Sequence, residues 1–318
     1  MSNVRHPRRG SLQYWPRKRS RHSLVRVRSW AREGKAKPLG YICYKVGMAR
    51  AMATDNRTKS MTKGESIVLP ITLVDCPPMT VMGVSFYKFR QKVSSILAEK
   101  LDSHVAKHMP LPKRPSKKKF EDITDFEDLR LLVHSNPSKA GIGVKKPKLL
   151  EIALGGSKEG KIAYAKEMMG KEITVKDVFA QGGLVDIHGV TKGKGFQGTV
   201  KRFGVPIRQH KAEKTKRGIG TLGSWTPKRV EYTVPQSGKM GYHQRTEYNK
   251  QILKIGEQGK EVTPQGGFVH YGEIYNPYLL IKGSLVGPTK RALVLTQAIR
   301  PSKKLASASY ELTEVIVR

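Results

Sequence analysis

Gly183-Leu-Val-Asp-Ile-His-Gly-Val-Thr-Lys-Gly-Lys-Gly-Phe-Gln-Gly198 begins as a strand and closes on a G-x-G-x-x-G signature at 193–198. What comes next decides the fold. A dinucleotide site needs a helix there, because the helix N-terminus holds the pyrophosphate. The chain continues Thr199-Val-Lys-Arg-Phe-Gly-Val-Pro206, with β-branched residues, a glycine and a proline that argue against that helix. The doubly wound α/β reading is therefore rejected. The glycines keep another use. Gly193, Gly195 and Gly198 let backbone approach phosphates closely, while Lys192, Lys194, Lys201 and Arg202 supply charge. A β-turn with left-handed glycines is compatible with the same residues.

Strand-like stretches lie on both sides of this block. Tyr41–Val46, Ser66–Asp75 and Thr80–Lys88 precede it, the last two separated by Pro77-Pro78. Gln251–Ile255, Tyr278–Lys282 and Ala292–Thr296 follow it. Apolar runs with Gly and Pro punctuation suggest a mainly β protein, a barrel rather than alternating α/β units. Residues 89–177 differ and read as an α/β insertion. Thr124 with Glu127 makes a capping-box pattern that predicts a helix over Asp125–Ser135. Leu149–Leu154 reads as a strand, and Ser157 caps a second helix running to Met169. The Lys- and Arg-rich residues 113–119 read as an exposed loop. Residues 191–247, long and rich in Gly, Lys and Arg, read as a finger that leaves the body and returns. The expected division is an arm at 1–37, a body at 38–88 and 178–318 carrying the finger, and the insertion at 89–177.

Charge says most about partners. Sixty Lys and Arg stand against 25 Asp and Glu, a net +35 in 318 residues. Residues 1–38 hold twelve basic residues and one acid, and residues 194–245 hold twelve and two. Same-sign charge without interleaved acids repels itself, and a nucleic acid is the polyanion that relieves it. Arg8, Arg9, Arg17, Lys18, Arg19 and Arg21 lie in the arm, with Tyr14, Trp15 and Trp30 among them. Pro7, Gly10 and Pro16 break any regular period, so the arm is expected to lack fixed structure until RNA orders it. In the finger, Trp225 lies in Gly223-Ser-Trp-Thr-Pro227 among Lys214, Lys216, Arg217, Lys228 and Arg229, with Arg208 and Lys211 upstream. Glycines and charge around a tryptophan, with no apolar period, favour presentation at a loop tip over burial in a core. Gly241-Tyr-His-Gln-Arg-Thr246 sets Tyr242, His243, Gln244 and Arg245 in succession, a set suited to packed RNA contact.

Other chemistry is not indicated. Cys43 and Cys76 form no C-x-x-C pair and lie in apolar stretches, so buried inert thiols in a reducing cytoplasm are expected. His104 and His108 are spaced i, i+4, but Pro110 follows at once and no glutamate stands between them, so no metal site is expected. No catalytic arrangement of nucleophile, base and acid emerges, and no cofactor is expected. The longest apolar stretches are too short to cross a bilayer, and the basic N-terminus is followed by no signal-peptide core.

Asp186-Ile-His-Gly-Val-Thr-Lys-Gly-Lys-Gly-Phe-Gln-Gly198 with Arg202, Gly223-Ser-Trp-Thr-Pro227 and Gly241-Tyr-His-Gln-Arg-Thr246 closely resemble the universal large-subunit ribosomal protein L-three family. His6-Pro-Arg-Arg-Gly-Ser-Leu and Trp15-Pro-Arg-Lys-Arg resemble the N-terminus of its archaeal and eukaryotic branch. The resemblance implies a six-stranded translation-protein-like β-barrel with a basic N-terminal arm, a long internal finger loop and an α/β insertion. It implies binding of large-subunit rRNA, early assembly, contact with neighbouring ribosomal proteins and a finger directed at the peptidyl transferase centre. Trp225 matches the tryptophan of the finger tip. The missing longer C-terminal extension of eukaryotic members favours an archaeal source. Gln209–Lys216 does not align cleanly with the eukaryotic finger, so the methylated histidine of that branch is not carried onto His210. No homo-oligomer is expected. Two further readings stay open from the residues alone: an RNA-modifying enzyme with basic extensions, and a chromatin-type DNA-binding protein.

Overall fold

A computed structural model describes residues 8–114, 118–211 and 214–317, which fall into two compact units. The larger holds residues 23–189 and 245–317, the smaller 8–22 and 190–244. The larger unit starts with β1 (Gly40–Asp55), β2 (Ser66–Asp75), β3 (Met79–Lys88) and β4 (Gln91–Leu97). Next come β5 (Asp128–His134), β6 (Leu149–Ala153), helix α1 (Lys158–Met168), the two-residue β7 (Glu172–Ile173), the one-turn α2 (Val175–Val178) and β8 (Leu184–Val190). The smaller unit contributes β9 (Gly193–Gln197), the one-turn α3 (Thr199–Phe203) and β10 (Gly238–Gly241). The chain returns through β11 (Gln244–Gly256), β12 (Tyr278–Lys282), β13 (Ala292–Gln297), the short α4 (Lys303–Ala306) and β14 (Tyr310–Ile316).

The protein is mainly β. Seven strands pair in the order β13-β8-β11-β12-β2-β1-β14, and β13 also pairs with β1. Six strands are thus hydrogen-bonded in a closed cycle. Antiparallel registers set Tyr41 opposite Leu295, Thr72 opposite Ile281 and His188 opposite Val294. A second sheet runs β4-β3-β5-β6, with β7 on β3. β3, which the sequence groups with the body, is hydrogen-bonded inside this second sheet.

The helix expected over Asp125–Ser135 is corrected to strand β5. Leu129, Leu131 and Val133 are fully buried while Asp128, Arg130 and Leu132 are only partly covered, a period of two that the capping-box pattern disguised. The second helix forms as α1 with Ser157 as N-cap, its side chain accepting from the Gly160 amide at 3.3 Å. The expected loop at 113–119 falls partly on residues 115–117, outside the described residues.

One apolar cluster joins the two sheets, with Ile42, Val74, Leu293 and Leu295 packed alongside Val84, Leu131 and Ile152. A second gathers Tyr44, Ile71, Leu73 and Tyr278. Each fully buried aliphatic side chain contributes about 1.5–3 kcal/mol, against a backbone ordering cost of about 1–2 kcal/mol per residue. Cys43 and Cys76 are free and buried, as the sequence suggests. Two buried polar side chains are held by hydrogen bonds. Tyr41 donates to the Pro77 carbonyl at 2.8 Å, and the Asp75 carboxylate accepts from Tyr271 Oη at 2.6 Å and from Asn276 Nδ2 at 3.2 Å.

Candidate nucleic-acid interface

The finger begins as a two-stranded ribbon. β9 and β10 are antiparallel, with Gly238 opposite Gln197 and Gly241 opposite Gly193. Gly241 has a φ of 74°, and a Cβ there would stand 2.1 Å from the Lys192 carbonyl oxygen. Only glycine fits this crossing of the two limbs. Beside it the Thr191 amide donates to the His243 carbonyl at 2.9 Å, and the His243 amide donates to Thr191 Oγ1 at 3.1 Å.

The sequence expectation for Thr199–Pro206 needs a correction. One helical turn does form directly after Gly198, ended by Gly204 at a φ of 70°. Gly204 lets the chain turn away after five residues, which is too short for a nucleotide-binding helix. Thr199 and Phe203 are buried, whereas Lys201 is exposed.

Residues 8–22 are not the structureless arm the composition suggested. Trp15 packs against Phe203 with the rings tilted by 37° and centroids 5.5 Å apart, and meets Tyr232 edge-on at 6.1 Å. The Arg17 guanidinium lies 4.2 Å from the Phe203 ring centroid. Arg8 Nη2 donates to the Thr233 carbonyl at 2.7 Å, and the Ser20 amide donates to the Tyr242 carbonyl at 2.8 Å. Arg19 lies 5.1 Å from the Tyr242 ring. His243 is buried and its Nδ1 donates to the Lys18 carbonyl at 2.9 Å. Aromatic contact and arginine-to-carbonyl bonds give these residues protein partners that their composition does not advertise. Arg5 of the arm lies outside the described residues.

Site residues therefore divide. Arg8, Arg17, Arg19, Arg202, Tyr242 and His243 are engaged within the smaller unit, and burial pulls the Arg202 pKa below the ordinary guanidinium value. Arg9 is half-buried. Lys18, Arg21, Lys192, Gly193, Lys194, Gly195, Gly198, Lys201, Arg208, Lys211, Arg217, Lys228, Arg229 and Gln244 are exposed, and Arg245 is partly covered. Residues 206–211 and 220–232 are exposed throughout. Trp225 is 84% exposed, Lys228 Nζ lies 5.7 Å from its ring, and the Lys228 amide donates to the Trp225 carbonyl at 3.0 Å. The Arg208 amide donates to the Lys216 carbonyl at 3.0 Å and pinches the base of this segment. Sequence reasoning missed Phe203, Tyr232 and Thr191 as root-forming residues; only Phe203 carried a signal, as the one aromatic of the 199–206 run.

A β-built body joined to a cationic ribbon is the design of a protein that holds a polyanion. The family model for Ribosomal protein L3 matches residues 1–317, and the chain belongs to that family. It is 44% identical to the large ribosomal subunit protein uL3 of Methanocaldococcus jannaschii, over 95% of this chain and 94% of that protein. The uL3 proteins of Methanococcus aeolicus and Methanobrevibacter smithii are 41% and 42% identical, each over 94% or more of both chains. The protein is thus a structural constituent of the large ribosomal subunit in the cytoplasm, and not an enzyme. Membership implies association with large-subunit rRNA and ribosomal proteins. Among the described residues no helix is long and apolar enough to cross a membrane, and no His, Cys, Asp and Glu cluster could hold a metal ion.

Proposed function

We propose that the chain cross-links domains of large-subunit rRNA, beginning early in subunit assembly, with its finger directed at the peptidyl transferase centre. The observation that carries this reading is the pair of exposed, acid-poor stretches 206–211 and 220–232, with Trp225 84% exposed in the second, beside a root tied down by protein contacts. RNA cannot bring its phosphates together without cations, and these stretches supply them on a narrow support. Lys192, Lys194, Lys201, Arg208, Lys211, Arg217, Lys228 and Arg229, with Lys18 and Arg21, hold backbone phosphates. Gly193, Gly195 and Gly198 permit the close approach. Trp225 buttresses nucleotides beside the reaction centre, and Gln244 and Arg245 face RNA at the root. The closed cycle of six strands is the translation-protein-like barrel that fixes where the finger enters the RNA, and residues 89–177 meet neighbouring ribosomal proteins. One copy acts alone.

Binding to a large-subunit rRNA fragment and to DNA of equal length, titrated with salt, tests this. Wild type is expected to prefer the rRNA at raised salt. The triple variant K192A/K194A/K201A is expected to flatten the slope of log affinity against log salt by roughly 2, at roughly 0.7 per phosphate lost. Equal affinity for both polymers with an unchanged slope would defeat the reading.

A further inference from the structure

Arg202 stands apart from the other cations of the finger. Its Nη1 donates to the Gln236 carbonyl at 2.8 Å, its Nε to the Lys239 carbonyl at 3.1 Å, and its Nη2 to the Arg17 carbonyl at 3.2 Å. Arg17 Nη1 returns a bond to the Arg202 carbonyl at 2.9 Å. A Cβ on residue 238 would sit 3.0 Å from Arg202 Nη1, so the glycine there leaves room for the guanidinium. No carboxylate pairs with Arg202 among the described residues. Three chain segments therefore converge on one planar cation: the N-terminal arm through residue 17, the outgoing limb that bears Arg202, and the returning limb through residues 236 and 239.

An arginine that binds phosphate is expected to point its N–H groups outward. This one directs donors from all three guanidinium nitrogens at main-chain oxygens inside the smaller unit. We infer that Arg202 is a positioning residue, a clamp that fastens the arm to both limbs of the finger before any RNA is bound, and not a contact to an rRNA phosphate. The fork of a guanidinium reaches three carbonyls at once; a lysine ammonium, a single point charge on a flexible stem, cannot. The clamp gives the rRNA-binding surface one fixed partner geometry. The arm cations and the finger cations then meet RNA as a single rigid pattern, and less ordering is left for the binding step.

The two roles separate in the RNA-free, full-length protein. Amide hydrogen exchange is measured for wild type, R202K, G238A and K201A. In wild type the Ser20 amide, bonded to the Tyr242 carbonyl, is expected to be protected. R202K keeps the charge and loses the fork, and is expected to accelerate exchange across 8–22 by about tenfold or more. G238A pushes a methyl into the guanidinium and is expected to do the same. K201A is expected to leave 8–22 unchanged, and residues 40–88 should exchange as in wild type in every variant. The salt slope for rRNA binding of R202K should match wild type, since no phosphate contact is lost, although affinity falls. Protection of 8–22 that survives in R202K, or that is absent from wild type, overturns the clamp. So does acceleration that spreads to 40–88. Failure of wild type to bind rRNA would instead strike the proposed function and leave the exchange result standing.

Discussion

Asp75 shows how one side chain ties the body to pH. It is fully buried, and burial pushes its pKa up to about 6, only partly offset by the bonds from Tyr271 and Asn276. The unfolded chain releases the same proton near 3.8. Between those values the folded state binds the proton more tightly, so this group's contribution is present below about pH 4 and is lost as pH rises through 6. The swing is at most about 3 kcal/mol, from 1.36 kcal/mol per pKa unit. Asp75→Asn removes it. Thermal melts of both proteins from pH 4 to 7 should show the wild type losing ground to the variant as pH rises; a constant gap would contradict the assignment. Trp225 makes the opposite case. It packs against little within the protein, so Trp225→Ala should change stability by no more than about 0.5 kcal/mol and leave particle assembly intact. Perturbed tRNA accommodation, with normal subunit profiles, is the expected signature in translation assays.

At the level of elements, the ribbon root is the most constrained part of the smaller unit. Gly241→Ala forces a Cβ toward the Lys192 carbonyl and should open β9 from β10, seen as faster amide exchange over 193–197 and 238–241. An unchanged pattern would mean that the crossing has slack. Most strands were legible as apolar runs: β2, β3, β8, β12 and β13 fall within one or two residues of their expected bounds. β5 was not, because a capping-box coincidence at Thr124 and Glu127 outweighed the alternation of Leu129, Leu131 and Val133. β14 was missed because none of its residues is fully buried and its place is set by pairing with the second half of β1. The candidate interface was marked in the sequence by its charge and its glycines. Which arginines are engaged was not, since a main-chain carbonyl has no signature in the sequence. Arg202 and Lys201 are neighbours of like charge, and only the fold sets their surroundings apart.

Across the whole molecule, a net +35 repels itself, and a bound polyanion relieves that repulsion. Removing residues 1–22 takes away seven Lys and Arg. The salt slope for rRNA binding should flatten by at most about 5, at roughly 0.7 per phosphate. The shortened chain should leave the large particle in a high-salt wash that wild type survives. Retention of both would place the grip in the body instead. The finger also departs and returns at neighbouring points, since β8 and β11 are adjacent in the sheet and Thr191 is bonded to His243. A gene could lose everything between those two residues and be rejoined by a tight hairpin without disturbing the strand order of the remainder. The loop is in that sense a cassette: it can lengthen, shorten or be exchanged between lineages, or grafted by an engineer, while the support beneath it inherits no obligation to change.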